Sequence, residues 1–520
     1  MPTLRPLMLL SALAVPLPLA ACASATSPPA PTMISRPLSE AEARFARDLE
    51  AFLGHALARL PAVPALSVAV ARADGPIYAG AFGRADIEAG LSATADTSFY
   101  IASSTKSFVG LALALLDARG EIDLDWTLAG LAPDIAFAPE VRPSEVTLRH
   151  LLTHSHGLDG GAITFRLAYS GEHDPATLWR LLGRIEPNRE APLGTFEYGN
   201  IGYNVATMLV ERRLGRAWQE IVETEVLEPL GLRRTVTRGL ARARADAVFA
   251  VPYDSLVPDG PARLYLVKED DTMQSAGGMY SSANDMARWL QVNLAAARGA
   301  PSPLPAAVVA ATHAPAAALD QRFEMFQRTG YGLGWYSGEY EGETLFHSFG
   351  GFAGARAHVS FMPSRDLGVA VLANDQGAGF ILADVVAVFA YTWFAAGAEA
   401  ADRAGREMVE RIVERAATRP ARIAAERAER AQRPWRLSLP RSAYAGSYCN
   451  AEYGTVTLVE RDGRLAMAMG RLRAEAEPFT QDEAVRIEAV PGSGTVLRFL
   501  VEDGAVAGAE GLGARFRRCD

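Results

Sequence analysis

Two groups of strand-like segments lie far apart in this 520-residue sequence. The first group, residues 65–71 and 77–82, is joined by an Asp-Gly turn, which is typical of a β-hairpin. The second group includes residues 355–362 and 368–372, and helical or loop-rich sequence fills about 104–240 between the groups. This order predicts an α+β fold, in which an antiparallel sheet is flanked by helices and carries a helical subdomain.

Helical segments flank the predicted sheet. Ser39 and Glu42 form a capping-box pattern, which predicts the start of an amphipathic helix. Residues 379–401 are apolar enough to suggest a membrane span, but Asp384 near their start favours a helix buried against the sheet. Residues 402–433 are dense in Arg, Glu and Ala, which is typical of a solvated helical linker.

The first 22 residues have the features of an export signal. Arg5 precedes an apolar run over 7–19 that is too short to span a bilayer. The run ends in Leu-Ala-Ala-Cys, which resembles the lipobox of bacterial lipoproteins and implies a lipid anchor on Cys22 at the periplasmic face of a membrane. Ordinary secretion with cleavage after an Ala-x-Ala pattern is the alternative. In both cases residues 23–37 would form a flexible tether.

Charge and cysteine content exclude several classes of protein. The net charge is −9 and the pI about 5.6, which argues against nucleic-acid binding because that function needs a basic patch. A mean hydropathy of +0.05 argues against a polytopic membrane protein. Besides Cys22, only Cys449 and Cys519 are present, and export makes a disulfide permissible. No Cys-x-x-Cys pattern occurs, so a structural zinc site is not expected.

Two of the 51 basic residues are lysines, Lys106 and Lys268. Lys106 follows Ser103 by three positions at the start of a predicted helix, so its amine can reach the Ser103 hydroxyl. Unlike an arginine, a lysine can act as a general base when its surroundings lower its pKa. The pair therefore suggests a nucleophilic serine activated by a lysine. Lys268 lies in an acidic stretch and is expected to be a surface charge.

A Tyr-x-Asn pattern lies about a hundred residues after this pair. The Tyr198 hydroxyl can share a proton with a lysine amine, and the Asn200 amide can hold both the lysine and a substrate carbonyl. On its own the pattern is more typical of a loop, so it gains weight only in combination with other motifs.

Ser103-x-x-Lys106 followed by Tyr198-x-Asn200 resembles the serine β-lactamase and penicillin-binding superfamily. Further stretches that resemble the superfamily occur in its order, namely 147–154 (TLRHLLTH), 276–287 (AGGMYSSANDMA) and 331–335 (YGLGW). The Ser-Asp-Asn element of class A enzymes is absent, which favours the class C branch with its esterases and D-amino-acid peptidases.

The third motif of the superfamily, Lys-Thr-Gly or His-x-Gly on a strand beside the site, is altered in this chain. Counting back from Gly354 places Ser348 in its first position, whereas His347 could take that role only through a one-residue bulge. A serine cannot supply the positive charge that helps to bind a substrate carboxylate. The resemblance therefore favours neutral esters or amides, unless His347 takes the role. It is equally open that His347 only packs or faces solvent.

The resemblance implies an exported serine hydrolase. Ser103 would form an acyl-enzyme while Lys106 and Tyr198 move the proton, and backbone N–H groups at Ser103 and near 350–351 would form the oxyanion hole. The substrate-binding residues would be Asn200, His347, Ser348, Gly350 and Gly351.

The implied substrate is a small molecule or short peptide with an ester or amide bond, and no cofactor, metal or nucleic acid is expected. The sequence does not choose between an esterase, a β-lactamase and a D-peptidase. A non-catalytic envelope binding protein that retains the fold is the alternative, and the altered third motif motivates it.

A His-Ser-His run, His154 to His156, partly resembles the zinc-binding run of metallo-β-lactamases. The following Asp159 comes one residue late and the last histidine of that run is missing, so zinc hydrolysis stays a minor alternative. The sequence contains no His-Glu-x-x-His, P-loop or Gly-x-Ser-x-Gly pattern.

The C-terminal segment resembles the small lipocalin-like β-barrel that is often fused to these hydrolases. In a closed barrel the first and last strands are neighbours, so the resemblance predicts a disulfide between Cys449 and Cys519. The expected organisation is a signal peptide (1–22), a tether (23–37), a catalytic domain (38–398), a charged helical linker (399–438) and a lipocalin-like barrel (439–520).

Overall fold

A computed structural model describes residues 36–239 and 247–520 of the chain. The predicted signal peptide, Cys22 and nearly all of the predicted tether lie outside the described residues.

A ten-stranded antiparallel sheet forms the centre of the larger unit. The strands before the barrel are β1 (Ala65–Arg72), β2 (Gly75–Asp86), β3 (Leu91–Ser92), β4 (Phe99–Tyr100), β5 (Leu158–Asp159), β6 (Glu186–Pro187), β7 (Tyr253–Asp254), β8 (Ala262–Arg263), β9 (Tyr280–Ser281), β10 (Ala317–Phe323), β11 (Phe326–Tyr331), β12 (Tyr336–Tyr340), β13 (Glu343–His347), β14 (Gly350–Phe352), β15 (Ala355–Met362) and β16 (Leu367–Ala373). The sheet order is β10-β11-β12-β13-β15-β16-β1-β2-β3, and β14 pairs with β15. The predicted hairpin β1–β2 thus joins the late strands through β16, which confirms the predicted α+β fold.

Helices cover both faces of the sheet and form the subdomain beside it. They are α1 (Glu40–Arg59), α2 (Thr105–Ala118), α3 (Leu128–Leu131), α4 (Leu148–Leu152), α5 (Gly161–Phe165), α6 (Pro175–Leu182), α7 (Ile201–Leu214), α8 (Trp218–Val222), α9 (Glu228–Leu230), α10 (Ala283–Ala297), α11 (Ala306–His313), α12 (Ala378–Ala396) and α13 (Ala398–Ala431). The predicted capping box is present, because the Ser39 side chain accepts from the Glu42 N–H and Glu42 accepts from the Ser39 N–H.

Alternating side chains of β1 pack into two separate hydrophobic cores, one on each face of the sheet. Leu66, Val68 and Val70 pack in the core on the α1 and α12 side of the sheet. Ala69 and Ala71 belong to the core that contains α2 and α10. Because both faces are covered, β1 is apolar almost throughout, and burying each Val or Leu contributes about 1.5–3 kcal/mol.

The apolar helix α12 lies against the sheet, as its Asp384 led us to expect. It is long and apolar enough to cross a membrane by length and composition, but 72% of its apolar window is buried within the protein. Asp384 accepts hydrogen bonds from Arg356 at 2.8 Å and lies 2.8 Å from Nδ1 of His358, both on β15. The one carboxylate within α12 is therefore neutralised by the sheet beneath it.

The C-terminal residues form a closed eight-stranded barrel, consistent with the predicted lipocalin-like unit. Its strands are β17 (Gly446–Asn450), β18 (Gly454–Arg461), β19 (Arg464–Met469), β20 (Leu472–Pro478), β21 (Ala484–Val490), β22 (Ser493–Glu502), β23 (Ala505–Gly511) and β24 (Ala514–Arg518). The first and last strands pair, and the Cys449 and Cys519 sulfur atoms lie at disulfide distance, 2.00 Å.

Contacts from the segment that follows α5 help to hold the barrel against the larger unit. The buried Arg166 guanidinium donates to the backbone carbonyls of Ala451 and Glu452 in the turn between β17 and β18. The Arg471 N–H of the barrel donates in return to the Ser170 carbonyl at 2.8 Å. The barrel therefore abuts the segment that follows α5.

The charged segment predicted as a linker is helical as far as Ala431, within the 34-residue helix α13, and residues 432–438 lie outside the helix. Its first half packs against α1, where Arg59 and Glu410 form an ion pair at 2.6 Å. Its end approaches the barrel, where Arg430 and Glu477 lie 3.0 Å apart.

The ion pair beneath α12 generates a stability prediction. Burial opposes ionisation of Asp384, but Arg356 and His358 outweigh it and hold the Asp384 pKa below its ordinary value. Asp384→Asn leaves the Arg356 charge buried and unpaired, so we expect the free energy of unfolding to fall by about 3–5 kcal/mol at pH 7 in urea titrations. Since the folded pKa is depressed, the loss shrinks as the pH falls below about 4, where the unfolded carboxyl is protonated.

Asp402→Asn is the matched control for this prediction. It removes a carboxylate that pairs with Arg406 at 2.7 Å on the solvent-facing side of α13, and we expect a change below about 1 kcal/mol. Equal stability of the two variants would contradict the role given to Asp384.

Candidate active site

Ser103 lies at a strand-to-helix turn. It is half-buried in a 3₁₀ turn, Ala102–Ser104, which follows β4 and continues directly into α2. Ala102 has φ 45°, a left-handed conformation that is unfavourable for a residue with a Cβ. Such strain next to a potential nucleophile is typical of functional sites, where the surrounding structure enforces the conformation.

The Lys106 amine is buried one helical turn from the Ser103 hydroxyl. Its Nζ lies 3.2 Å from Ser103 Oγ, 2.8 Å from Asn200 Oδ1 and 2.7 Å from the Ala276 carbonyl oxygen. Lys106 is 1% exposed, and no carboxylate lies within 4 Å of its Nζ among the described residues. The predicted Ser-x-x-Lys contact is thus present, with neutral acceptors around the amine.

Tyr198 meets Lys106 through its ring. The Lys106 Nζ lies 4.9 Å from the Tyr198 ring centroid, within the range of a cation–π contact. The hydroxyl, predicted to share a proton with Lys106, forms no hydrogen bond to another residue in the described parts of the chain. Tyr198 is 40% exposed, so its hydroxyl is available to a substrate or to water.

Asn200 connects the lysine to the open side of the site. It is the residue before α7, and its Oδ1 accepts from Lys106. Its Nδ2 has no partner within residues 36–239 and 247–520, so this amide can donate to a substrate carbonyl.

Several aromatic residues around this group were not predicted as site residues. His154 packs against Tyr198 at 4.6 Å and Tyr331 at 4.7 Å between ring centroids, and Tyr336 stacks on Tyr198 at 6.1 Å. Two of them lie in stretches quoted above, TLRHLLTH and YGLGW, but the sequence alone does not show that these stretches meet.

Both histidines of the His-Ser-His run are buried and neutral at pH 7. Burial, together with the Lys106 charge, lowers the pKa of His154 well below its ordinary value, and burial lowers the pKa of His156 to about 4. The described residues contain no group of three or more His, Cys, Asp or Glu side chains that could hold a metal ion.

The third-motif strand continues without a bulge. His347 pairs with Ser360 and Gly350 with Ala357, so β13 and β14 keep one register along β15. Side chains alternate along this strand, and a Cβ on Gly350 would point at the turn that carries Ser103. Ser348, two residues earlier, shares that face, which favours Ser348 over His347 for the first position of the motif.

His347 points to the other face of the strand. It is fully buried, stacks between Tyr336 and Phe349, and accepts a hydrogen bond from Arg328 Nε at 3.2 Å. Burial and the Arg328 charge lower the pKa of His347 well below its ordinary value. A neutral, enclosed imidazole does not provide the positive charge of the superfamily motif.

Gly350 allows the strand to approach the Ser103 turn. A Cβ at this position would lie 2.0 Å from the Ile101 carbonyl oxygen and 3.1 Å from the Ser103 nitrogen. Ser104 Oγ also donates to the Ser348 carbonyl at 2.6 Å, which ties the turn to the same strand. The backbone at 350–351 therefore lies beside the Ser103 N–H, as an oxyanion hole requires.

The sequence profile of the Beta-lactamase family matches residues 53–391. The chain belongs to the beta-lactamase family. The match includes Ser103, Lys106, Tyr198 and Asn200 and ends before the charged helix and the barrel.

Curated relatives of this beta-lactamase family member carry several names. It is 34% identical over 291 residues to esterase EstB of Burkholderia gladioli (48% of this chain, 70% of that protein) and 27% identical over 330 residues to the unguisins hydrolase ungD' of Aspergillus campestris (60% and 58%). It is 25% identical over 343 residues to a D-aminopeptidase of Gluconobacter oxydans (64% and 60%). The chain thus spans only about 58–70% of the length of these relatives.

Solved structures show the same fold at low identity. The octameric penicillin-binding protein homologue from Pyrococcus abyssi is 21% identical with a TM-score of 0.56, and the similarity covers 91% of this chain and 99% of that one. The D-alanine carboxypeptidase AmpC from Burkholderia cenocepacia is 20% identical with a TM-score of 0.51 and covers 64% of this chain and 95% of that one.

The prediction that Lys268 is a surface charge was wrong. Lys268 is 3% exposed, its Nζ donates to the Ala168 carbonyl, and it lies 4.0 Å from the centroid of the Phe352 ring, two residues after Gly350. Burial lowers the pKa of Lys268 from 10.5 to about 7. The acidic residues next to it in sequence misled the prediction, because the side chain turns inward and pairs with no carboxylate in the described chain.

This buried amine makes stability depend on pH. The folded pKa is below the unfolded value, so protonation of Lys268 destabilises the fold at pH below about 7 and the penalty disappears as the pH rises towards 10.5. We expect Lys268→Met to be more stable than the natural protein at pH 6.5 and to lose much of this advantage by pH 9.5 in thermal unfolding. Arg464→Met, on the exposed surface of the barrel, should show no such pH-dependent difference. An advantage that is the same at both pH values would contradict the burial argument.

Proposed function

We propose that this protein is an exported serine hydrolase of the class C-like branch, which cleaves an ester or amide through an acyl-enzyme on Ser103. The observation that carries the proposal is the 3.2 Å contact between Lys106 Nζ and Ser103 Oγ in a site that provides this amine only with neutral partners. Asn200, Tyr198 and the strand at 350–351 surround the pair on its open side.

In the first step, a neutral Lys106 amine takes the proton from Ser103 Oγ as this oxygen bonds to the substrate carbonyl carbon. The backbone N–H of Ser103 and one at 350–351 stabilise the oxyanion. The proton then passes from Lys106 to the leaving oxygen or nitrogen as its bond to the acyl carbon breaks. In this proposal the exposed Tyr198 hydroxyl relays this proton.

In the second step, water attacks the acyl-enzyme. Its proton goes to the same base, the Oγ–carbon bond breaks, and Ser103 recovers its proton as the carboxylic acid leaves. The residues supply nucleophile, base and oxyanion donors, so this scheme uses no metal or other cofactor.

The altered third motif supports neutral esters or amides as substrates. Ser348 shares the Ser103-facing side of the strand and carries no charge, while His347 is buried behind it and neutral. The esterase among the relatives agrees with this proposal, and the D-aminopeptidase and the unguisins hydrolase extend it to amides.

We further propose export as a lipoprotein anchored through Cys22. A disulfide between Cys449 and Cys519, whose strands are neighbours in the barrel, would be compatible with an oxidising compartment such as the periplasm. The proposed division is a catalytic domain over 38–398, a helical linker over 399–438 and a barrel over 439–520. The family match and the barrel topology are compatible with it.

Substitution of the central pair tests the proposal. Ser103→Ala is expected to abolish labelling by a fluorophosphonate and turnover of a nitrophenyl ester, because the nucleophile is lost. Lys106→Arg keeps the charge but removes the base, so kcat/KM should fall by about 100-fold or more while circular dichroism shows a folded protein. Both effects are measured against the natural protein with ester, β-lactam and D-peptide substrates.

Ser493→Ala, on an exposed barrel strand, is the matched control and should leave turnover unchanged. Normal activity of Lys106→Arg would contradict the mechanism. A folded protein that binds peptidoglycan fragments reversibly but is never labelled at Ser103 would favour the alternative, a non-catalytic envelope binding protein.

A second substitution separates the two contributions of Tyr198. Tyr198→Phe keeps the ring that contacts Lys106 and removes only the hydroxyl. If the hydroxyl relays the proton, kcat should fall by about 100-fold with little change in KM. Near-normal kcat in Tyr198→Phe, with a large loss in Tyr198→Ala, would assign Tyr198 a packing role instead.

A further inference from the structure

An extra residue in β11 redirects the Arg328 side chain. Gly330 lies opposite Ser337 on β12, but the next pair joins Arg328 to Gly338 and leaves out Thr329. In a regular strand Thr329 would lie opposite Gly338, and Arg328 would point to the other face of the sheet. Bulges of this kind are common beside active sites, where they re-aim a side chain.

The bulge places Arg328 on the same face of the sheet as Tyr336 and His347. Tyr336 is two residues from Gly338 on β12 and pairs with His347 on β13. The guanidinium carbon of Arg328 lies 3.8 Å from the centroid of the Tyr336 ring, and its Nε donates to Nε2 of His347 at 3.2 Å. The histidine of the altered third motif is therefore the acceptor that fixes a cation over the Tyr336 ring.

The Arg328 guanidinium is a buried cation without a counter-charge. Arg328 is 6% exposed, and its Nη1 donates to the neutral Oε1 of Gln321 at 3.4 Å. In the described parts of the chain it pairs with no carboxylate, and its second ring contact is with Phe323, 3.9 Å from its guanidinium carbon. Enclosing an unpaired charge is costly, which points to a role beyond packing.

Contacts between neighbouring side chains lead from Arg328 to the nucleophile. Tyr336 stacks on Tyr198 with 6.1 Å between the ring centroids and 27° between the planes. The Tyr198 ring lies 4.9 Å from Lys106 Nζ, which lies 3.2 Å from Ser103 Oγ. Burial lowers the pKa of Arg328, and electrostatic interaction with Tyr336 and Tyr198 opposes this effect, so the guanidinium is within electrostatic range of Tyr198.

We propose that Arg328 is a positioning residue for Tyr198, because it holds the Tyr336 ring against Tyr198 and so keeps the Tyr198 hydroxyl in place for the proton relay. This inference rests on the proposed function. The Tyr198 hydroxyl forms no hydrogen bond within residues 36–239 and 247–520, so ring contacts hold this side chain. Tyr198 precedes α7 and Tyr336 begins β12, so the contact joins the helical subdomain to the sheet across the site.

Two substitutions separate the charge of Arg328 from its bulk. Arg328→Met removes the charge and keeps a long side chain, whereas Arg328→Lys keeps a cation beside the Tyr336 ring. With a nitrophenyl ester, Arg328→Met should lower kcat about tenfold with KM nearly unchanged, and Arg328→Lys should retain most of the natural kcat. Equal losses in the two variants would assign Arg328 to packing and overturn the inference.

Arg322→Met is the matched control, since Arg322 is exposed on β10 at the same edge of the sheet, and it should leave kcat unchanged. Thermal unfolding of each variant shows whether a lower kcat reflects a less stable fold. Removal of a buried, unpaired charge should not lower the melting temperature of Arg328→Met.

A double-mutant cycle tests whether Arg328 acts through Tyr198. In the Tyr198→Phe background no hydroxyl remains to be positioned, so Arg328→Met should cause no further fall in kcat. A loss in that background as large as the loss in the natural protein would overturn the inference, because Arg328 would then act through another group.

A fluorine NMR signal separates this inference from the proposed function. A fluorotyrosine in place of Tyr198 reports the surroundings of the ring without turnover, and its chemical shift should move in Arg328→Met but not in Arg322→Met. An unmoved shift, or a normal kcat in Arg328→Met, would overturn the positioning role while turnover that depends on Ser103 sustains the hydrolase. A moved shift in a protein that is never labelled at Ser103 and turns over no ester would sustain the coupling of Arg328 to Tyr198 and overturn the hydrolase.

Discussion

The buried Lys106 amine, held by Ser103, Asn200 and a backbone carbonyl, is the interaction on which the site depends. An amine enclosed in this way is costly unless its N–H groups are satisfied, and the contacts with Ser103 and Asn200 are also part of the proposed chemistry. The surrounding backbone keeps the contacts in place. Ala102 is held in a strained conformation, and Gly350 brings a strand to within contact distance of the same turn.

The sheet determines which side chains reach this group. An unbroken register from β13 to β14 assigns Ser348 and Gly350 to the face that meets the turn and sends His347 to the other face. Neither Ser348 nor the neutral, buried His347 therefore provides the positive charge of the superfamily motif.

Local patterns allowed much of the fold and the central pair to be predicted. Helical spacing brings Lys106 to Ser103, and the Asp-Gly turn marks the β1–β2 hairpin, because both depend on residues close in sequence. The burial of Lys268 and the ring contact between Tyr198 and Lys106 depend on segments that meet only in the folded chain. The acidic neighbours of Lys268 indicate a solvated stretch, and tertiary packing overrides that signal. For the first position of the third motif, sequence spacing left Ser348 and His347 as candidates. The register of β13 and β14 along β15 favours Ser348.

The central pairing of the sheet has a consequence for how the chain matures. Strand β1 pairs with β16, so Leu66 cannot form its pair until Ala373, about 300 residues later in the chain, has been synthesised. Contacts of such long range slow folding, because the intervening chain must first be brought together. A polypeptide synthesised from its N-terminus therefore stays without a closed sheet for most of its synthesis. Late closure of this kind is compatible with the proposed export, in which the chain would cross a membrane before it folds.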